Sequence, residues 1–452
     1  MKKMMKMLTA SALIVGSLAM AAGAASYENC ADQLMDLGLF QGTEQGYELD
    51  RAPTRAEAGV MLVRLLGKEA DAKALTYSAP FTDLETWEQP YVQYLYDNKL
   101  TTGATETTFE PESACSAQMY TTFLLRALGY SDAQGADFTY DKAIDYGTTL
   151  GLVDYANCNT TNFLRDNVAA MSYTALNTAV KGDTKTDLLD KLVADGAVDK
   201  TKAATLQKTL TTFDSYIAAT SEMSIATKMD MTADVKATVK TGDKQVATLT
   251  MPMTMQADIN TDKFDQSKVA IKTTIKAEVD KSLVAAGEST SIDQTMESYY
   301  TDGYSYANIA GKKTKVAMSI DAMMAQIGSL TKTAVQPLCM FESITQSGDT
   351  YTVTYAGATM NGMMNQLLSS MQSAMPTDQK VELGDITCKM TVKDGKPTSM
   401  NMAMAMSMVV SGQTMNMDMT MDCTIKALGD GVTVTLPTDL ASYTEAAADT
   451  AA

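Results

Sequence analysis

The sequence predicts an α+β, multidomain protein, with an all-α N-terminal part and a C-terminal curved antiparallel sheet packed on helices. Three observations carry this expectation. Apolar residues recur at helical spacing up to position 219, then alternate with polar ones over most of the remaining chain. A set of short motifs returns three times in the helical part. The strand part holds most of the 35 methionines of this 452-residue chain, many of them at alternate positions.

At the N-terminus, Lys2, Lys3 and Lys6 precede an apolar run over residues 8–20, and Ala22-Gly23-Ala24 offers a small-residue cleavage site. Residues 1–24 therefore read as a secretory signal peptide, the run being too short for a comfortable membrane span. Cys30 follows Tyr27-Glu28-Asn29 rather than a small, apolar lipobox, so lipidation is not expected. Elsewhere no stretch reads as a membrane span, and retention at the cell surface is expected to come from binding.

Thr54-Arg55-Ala56-Glu57 has the pattern of a helix start, in which Thr54 caps the N-terminus and Glu57 reaches back to complete a capping box. Ala58, Met61, Leu62, Leu65 and Leu66 follow at helical spacing and give that helix a buried face. Arg55 stands on the first turn, beside backbone N–H groups expected to be unpaired and at the positive end of the helix dipole. Those features make a small anion site. The plainer reading of Arg55 is a solvated surface charge.

Leu37-Gly38-Leu39-Phe40-Gln41-Gly42 precedes this motif, and two related segments lie further along the chain. One contains Pro80-Phe81-Thr82-Asp83, Trp87, Leu100-Thr101-Thr102-Gly103, Phe109-Glu110-Pro111 and the apolar residues 122–129. A weaker one contains Phe138, Ile144, Leu150-Gly151-Leu152, Phe163-Leu164-Arg165, Ala169 and Leu176. In this order the motifs resemble the S-layer homology (SLH) repeat, with copies over residues 26–70, 80–130 and 138–219, the last including closing helices. The resemblance implies a pseudo-threefold helical prism whose grooves hold secondary cell-wall polysaccharide, often carrying pyruvate ketals. A sugar carboxylate suits an arginine fork. The implied polymer-binding residues are Thr54, Arg55 and Glu57 in the intact copy, with Arg165 in the third. Asp83 could add a sugar hydrogen bond and Trp87 a stacking face, although a core role fits Trp87 equally. The second copy places Ala117 where the arginine would stand, and the third lacks the threonine cap.

Composition limits the alternatives. The formal charge of −18 becomes −21 when the three leader lysines are removed, which disfavours nucleic acid and anionic membranes as partners. Binding to an anionic wall polymer must then be local. Histidine is absent, so the commonest general base and metal ligand is missing. No nucleophile elbow, phosphate loop or paired-carboxylate arrangement stands out. The expectation is a non-enzyme without cofactor or metal. The six cysteines, at positions 30, 115, 158, 339, 388 and 423, show no metal-ligand spacing. Those at 30, 115 and 158 are expected to fill small core positions.

Leu188, Leu189, Leu192 and Val193, then Leu206, Leu210 and Phe213, suggest two short amphipathic helices, with a boundary at Thr220-Ser221-Glu222. Residues 221–445 form the expected strand domain, with 446–452 as a flexible tail. Alternation is clearest at Met400, Met402, Met404, Met406 and Met408, then at Met415, Met417, Met419, Met421, Cys423 and Ile425. Residues 320–330 and 360–375 read instead as helices against the apolar face. If Cys388 and Cys423 both flank the Met400 strand, they lie about 9.6 Å apart, too far for a disulfide.

Residues 299–306, with four tyrosines around Asp302-Gly303, and then Gly311-Lys312-Lys313-Thr314-Lys315 are similar to a family of Gram-positive surface proteins and lipoproteins of unknown role. That resemblance implies a half-barrel like those of lipoprotein carriers and carries no functional residues. The methionine stripes fit core packing first. A pocket for an apolar, lipid-like ligand and a Cu(I) site are the alternatives. The sequence thus predicts an exported protein of the cell wall and S-layer, anchored non-covalently and presenting a binding or structural β-domain. A carrier of an apolar small ligand, with the repeats as scaffold, is the second reading.

Overall fold

The computed structural model describes residues 26–154, 156–224, 227–260, 263–284, 289–317, 337–361, 381–410 and 413–445. The expected signal peptide, the tail, the helix over 320–330 and most of the helix over 360–375 lie outside these residues. Residues 357–361 are helical, and Met360 is buried. No helix among the described residues is long and apolar enough to cross a membrane.

The chain divides into two compact units. The first, helical unit holds Ala24–Phe213 together with the separate segment Pro337–Glu342. Its elements are α1 (Glu28–Asp36), α2 (Arg55–Leu65), α3 (Glu69–Lys73), α4 (Gln89–Asp97), α5 (Ala117–Ala127), α6 (Ala143–Thr149), α7 (Arg165–Leu176) and α8 (Leu188–Ala194). A further helix, α9 (Lys200–Ser224), starts in this unit. A two-stranded hairpin, β1 (Ala179–Val180) with β2 (Asp183–Asp187), departs from the all-α expectation. The second closing helix, expected to be short, is the 25-residue α9, and it runs through the expected boundary at Thr220.

The helix start at Thr54 forms as its residues dictate. Thr54 Oγ1 accepts from Glu57 N at 3.2 Å, and Glu57 Oε2 accepts from Thr54 N at 2.9 Å. α2 is nevertheless buried on most sides rather than one, with Ala56, Gly59, Val60 and Val63 inside as well as the predicted Ala58, Met61, Leu62 and Leu65. Gly59 allows this: a Cβ there would come within 2.9 Å of Leu95 Cδ1 on α4. A core cluster of Ala56, Ala79, Phe81, Val92 and Phe109 sits beside it. Gly103 is required where it stands, since φ is +81° and a Cβ would lie 2.3 Å from Phe81 Cε1.

The segment Pro337–Glu342 places Leu338, Cys339 and Met340, a single tight turn at most 4% exposed, in the core of the helical unit. Asn29 Nδ2 donates to Phe341 O at 3.0 Å, and the Phe341 ring meets Phe213 edge-on at 5.1 Å.

The described strands of the second unit form one sheet. Among the described residues its twelve strands are β3 (Lys228–Thr241), β4 (Lys244–Asp258), β5 (Lys268–Val279), β6 (Ser291–Thr301), β7 (Tyr304–Ile309), β8 (Lys312–Ala317), β9 (Phe341–Ser347), β10 (Thr350–Tyr355), β11 (Val381–Lys393), β12 (Lys396–Val410), β13 (Gln413–Leu428) and β14 (Thr444–Glu445). Their order is β14-β8-β7-β6-β5-β4-β3-β13-β12-β11-β10-β9, antiparallel except for the parallel β14–β8 pair. β12 and β13 pair methionine to methionine: Met402 with Met421, Met404 with Met419, Met406 with Met417 and Met408 with Met415. This register keeps the paired methionines on one face, and Met404, Met406, Met408, Met417 and Met419 are buried there. Cys388 and Cys423 face Met402 and Met400 from opposite sides of β12, as the alternation requires, so they are not bonded. Positive φ at Asp302-Gly303 and Asp394-Gly395 gives the tight hairpins that Asp-Gly pairs favour. Within this unit the end of α9 meets β10, where Tyr216 lies 5.8 Å from Tyr351.

Candidate functional site

The predicted site residues all lie in the helical unit, and they divide into two clusters. In the first, Glu57 joins two arginines. Arg51 grips it with both terminal nitrogens, at 2.6 and 2.8 Å, and Arg165 Nη1 lies 3.9 Å from Oε1. Arg51 also bonds Glu48 at 3.2 Å through Nε and Nη2. These contacts, with its capping bond to Thr54 N, hold the Glu57 carboxyl below the ordinary range although burial acts the other way. Arg51 is not among the residues the sequence points to; its place between Glu48 and Glu57, just before the motif, was the available signal.

Arg165, expected to contact the polymer, is 3% exposed. Its Nε donates to Tyr47 O at 3.0 Å, and Nη1 lies 3.7 Å from Met61 Sδ. Its guanidinium is a structural cation inside the unit. Thr54 and Glu57 cap α2, so the structure brings these three residues together around the start of that helix.

The unpaired N–H groups expected at the start of α2 are occupied. Arg55 N donates to Ser113 O at 2.8 Å and Ala56 N to Pro111 O at 3.0 Å. The start of α7 repeats the arrangement, with Arg165 N donating to Arg51 O at 2.9 Å and Asp166 N to Leu49 O at 3.1 Å. The carbonyls stand at equivalent places, since Leu49 and Arg51 precede α2 by the same spacing as Pro111 and Ser113 precede α5. Helix α5 differs. Ser116 Oγ accepts from Met119 N at 3.2 Å, but the Ala117 and Gln118 N–H groups meet no acceptor among the described residues.

Arg55 makes the second cluster. Its guanidinium carbon lies 4.8 Å from the centre of the Phe109 ring. Nε is buried without a hydrogen-bond partner, and the guanidinium enters no ion pair among the described residues. Burial draws its pKa below the ordinary arginine value, while Cys115, Tyr140 and Glu110 nearby act in the opposite direction. Gln118 Nε2, from the first turn of α5, donates to Tyr140 O, so Tyr140 is a neighbour shared by Arg55 and α5.

Asp83 supports Arg55 from behind. Its carboxylate accepts from Phe109 N at 2.8 Å and from Glu110 N at 2.7 Å, fixing the loop on which the guanidinium rests. Its carboxylate is engaged by these backbone N–H groups. Trp87 is 47% exposed, which overturns the core reading, and its Nε1 donates to Glu85 Oε2 at 3.2 Å. The indole presents an open face, whereas Arg55's neighbours are Phe109, Glu110, Cys115 and Tyr140.

Residues 211–444 match the profile of DUF6612, a family of unknown function. This span is more than half of the chain. The chain belongs to the DUF6612 family. Curated relatives of this DUF6612 protein include the middle cell wall protein of Brevibacillus brevis, 30% identical over 145 residues. The surface layer protein of Brevibacillus choshinensis is 29% identical over 143 residues. Each match takes in 29% of this chain but only 14% and 13% of the relative, so the chain spans a small part of their length. An endoglucanase of a Bacillus species is 28% identical over 109 residues, which are 21% of this chain and 12% of the enzyme. Among solved structures, a DUF1329 family protein from Desulfovibrio piger aligns over 49% of this chain and 94% of its own. The TM-score is 0.16 at 6% identity. The cell wall and surface-layer relatives place this DUF6612 protein at the cell wall and cell surface.

Proposed function

We propose that the helical unit anchors the protein non-covalently to an anionic secondary cell-wall polysaccharide, and that the strand unit is the module it displays. The observation that carries this reading is Arg55: a partly buried guanidinium, seated on Phe109, with an unpartnered Nε. Leaving such a group unmatched costs about 1–3 kcal/mol, which a carboxylate-bearing ligand would recover. The open N–H groups of Ala117 and Gln118 add a second donor set at the positive end of α5. The ligand site belongs to the Arg55–Phe109–α5 junction, with the Asp83 carboxylate holding it in shape. Three helices opening in related ways, two of them capped by equivalent carbonyls, support an SLH-type repeat as the scaffold.

The role is binding rather than catalysis, in keeping with a histidine-free sequence. The methionine face reads as core: the paired methionines of β12 and β13 fill one another's surroundings, and among the described residues no specific contact favours the apolar-carrier reading.

The test is retention of the full chain on isolated cell-wall sacculi, before and after extraction of the secondary polymer. Binding should vanish with the polymer and weaken roughly 10- to 100-fold in Arg55→Ala, matching the loss of one charged contact. Thermal melting should show that the variant stays folded, because Arg55 contributes only its seat on Phe109 to the interior. Unchanged retention of Arg55→Ala, or binding indifferent to the polymer, would overturn the assignment.

A further inference from the structure

We propose that Cys30 and Cys339 form a disulfide in the exported protein, fastening the segment Pro337–Glu342 to helix α1. The two residues stand 309 positions apart, yet the Cys30 thiol donates to the Cys339 carbonyl oxygen at 3.6 Å; both are free thiols in the structure and fully buried at 0% exposure. Asn29 and Tyr27 flank the same spot. Asn29 Nδ2 donates to Phe341 O, and Tyr27, 2% exposed, donates through its hydroxyl to Ala156 O at 2.6 Å. The Asn29 and Cys30 contacts thus hold the segment against α1 without any cross-link.

The other cysteines are placed differently. Cys388 and Cys423 are separated by β12. Cys115 precedes α5 beside Arg55, and Cys158 is only half-buried. The cell wall and surface are compartments where disulfides persist.

The bond forms by exchange. A thiolate of Cys30 attacks an external disulfide, such as oxidised glutathione or an extracytoplasmic thiol oxidoreductase, and releases one of its thiols. Cys339 then displaces the second thiol and closes the Cys30–Cys339 bond. Two thiol protons are transferred, the two cysteines are oxidised, and the external disulfide is reduced to two thiols. Burial holds both thiols well above their ordinary pKa, so neither supplies thiolate once the unit has closed. The finished bond, fully buried, is shielded from reductant.

The experiment uses the full chain, refolded with oxidised glutathione or recovered from the medium of an exporting host. Free thiols are alkylated in denaturant without reductant, and the protein is digested and mapped by mass. The expected result is a peptide containing Cys30 linked to one containing Cys339, separated by reduction, with the remaining cysteines alkylated. In the native protein the link should resist dithiothreitol until denaturant is added. Alkylation of both Cys30 and Cys339 as free thiols would overturn the proposal, as would a link from either to a different cysteine. Cys30→Ser and Cys339→Ser should each leave the opposite cysteine free. If either variant fails to fold, the wild-type map still decides the question.

Discussion

Arg55 and Arg165 occupy the first position of α2 and α7, and both donate their backbone N–H to a preceding loop or one packed against it, yet their side chains meet opposite fates. Arg165 turns inward to Tyr47 O and Glu57, while Arg55 lies over Phe109 with Nε unmet. Beside Arg165, Asp166 shows the cost of crowding polar groups at a buried helix start. Its Oδ1 accepts from Tyr27 N at 2.8 Å, but at 6% exposure burial pushes its pKa from an ordinary value of 3.8 up to about 7. The folded state thus holds this proton more tightly than the unfolded chain does. Its stabilising contribution is complete below about pH 4 and is lost as pH rises through about 7. Asp166→Asn keeps an acceptor for Tyr27 N and removes the titration. Denaturant melts at several pH values should show the variant more stable than the wild type near pH 8, by on the order of 2–4 kcal/mol, with the advantage gone near pH 4. Parallel stability curves for the two proteins would refute this account.

Among the elements, β12 and β13 show how far alternation reaches. Each methionine on one strand faces an apolar residue on the other, and the adjoining β3 continues the layer with Met419 opposite Ala237 and Met421 opposite Val235. Burial is graded along β12: Met404 is 5% exposed, while Met400 is only half-buried. Met404→Ala should therefore cost about 2–4 kcal/mol in urea unfolding, and Met400→Ala less than half of that. Equal effects would mean that the layer is not packed as described. Helix α9 is the contrary case. The polar Thr220-Ser221-Glu222 looks like a boundary, but Thr220 and Ser221 satisfy their hydroxyls on the helix's own carbonyls, and the helix continues to Ser224.

At the scale of the whole molecule, the two units are not two consecutive stretches of chain. Leu338, Cys339 and Met340 belong to the helical unit although they come after six strands of the sheet. Cutting the protein after residue 213 therefore strips the helical unit of three buried side chains. Burial of this kind stabilises by about 1.5–3 kcal/mol for each large side chain. A fragment of residues 26–213 should melt at a lower temperature than the same unit in the full chain and should bind a hydrophobic dye. A full chain carrying Leu338→Asp and Met340→Asp should reproduce the loss. A fragment as stable as the parent unit would show that the segment is dispensable.

By itself, the sequence determined what depends on neighbours a few residues away. The Thr54–Glu57 capping box, the Asp302-Gly303 hairpin and the methionine alternation are local, and a one-residue slip of β12 would turn every methionine outward. The same alternation kept Cys388 and Cys423 on separate strands. What only the tertiary structure decided are contacts between distant segments. The first N–H groups of α2 look free in the sequence, but the carbonyls that take them lie in the loop before α5. Arg165 looks like a ligand contact until Tyr47, 118 residues earlier, supplies its acceptor. Cys339 reads as one more strand-domain cysteine until the fold sets it beside Cys30. Such pairings leave no trace in local periodicity, because the partner that satisfies each group is chosen by packing.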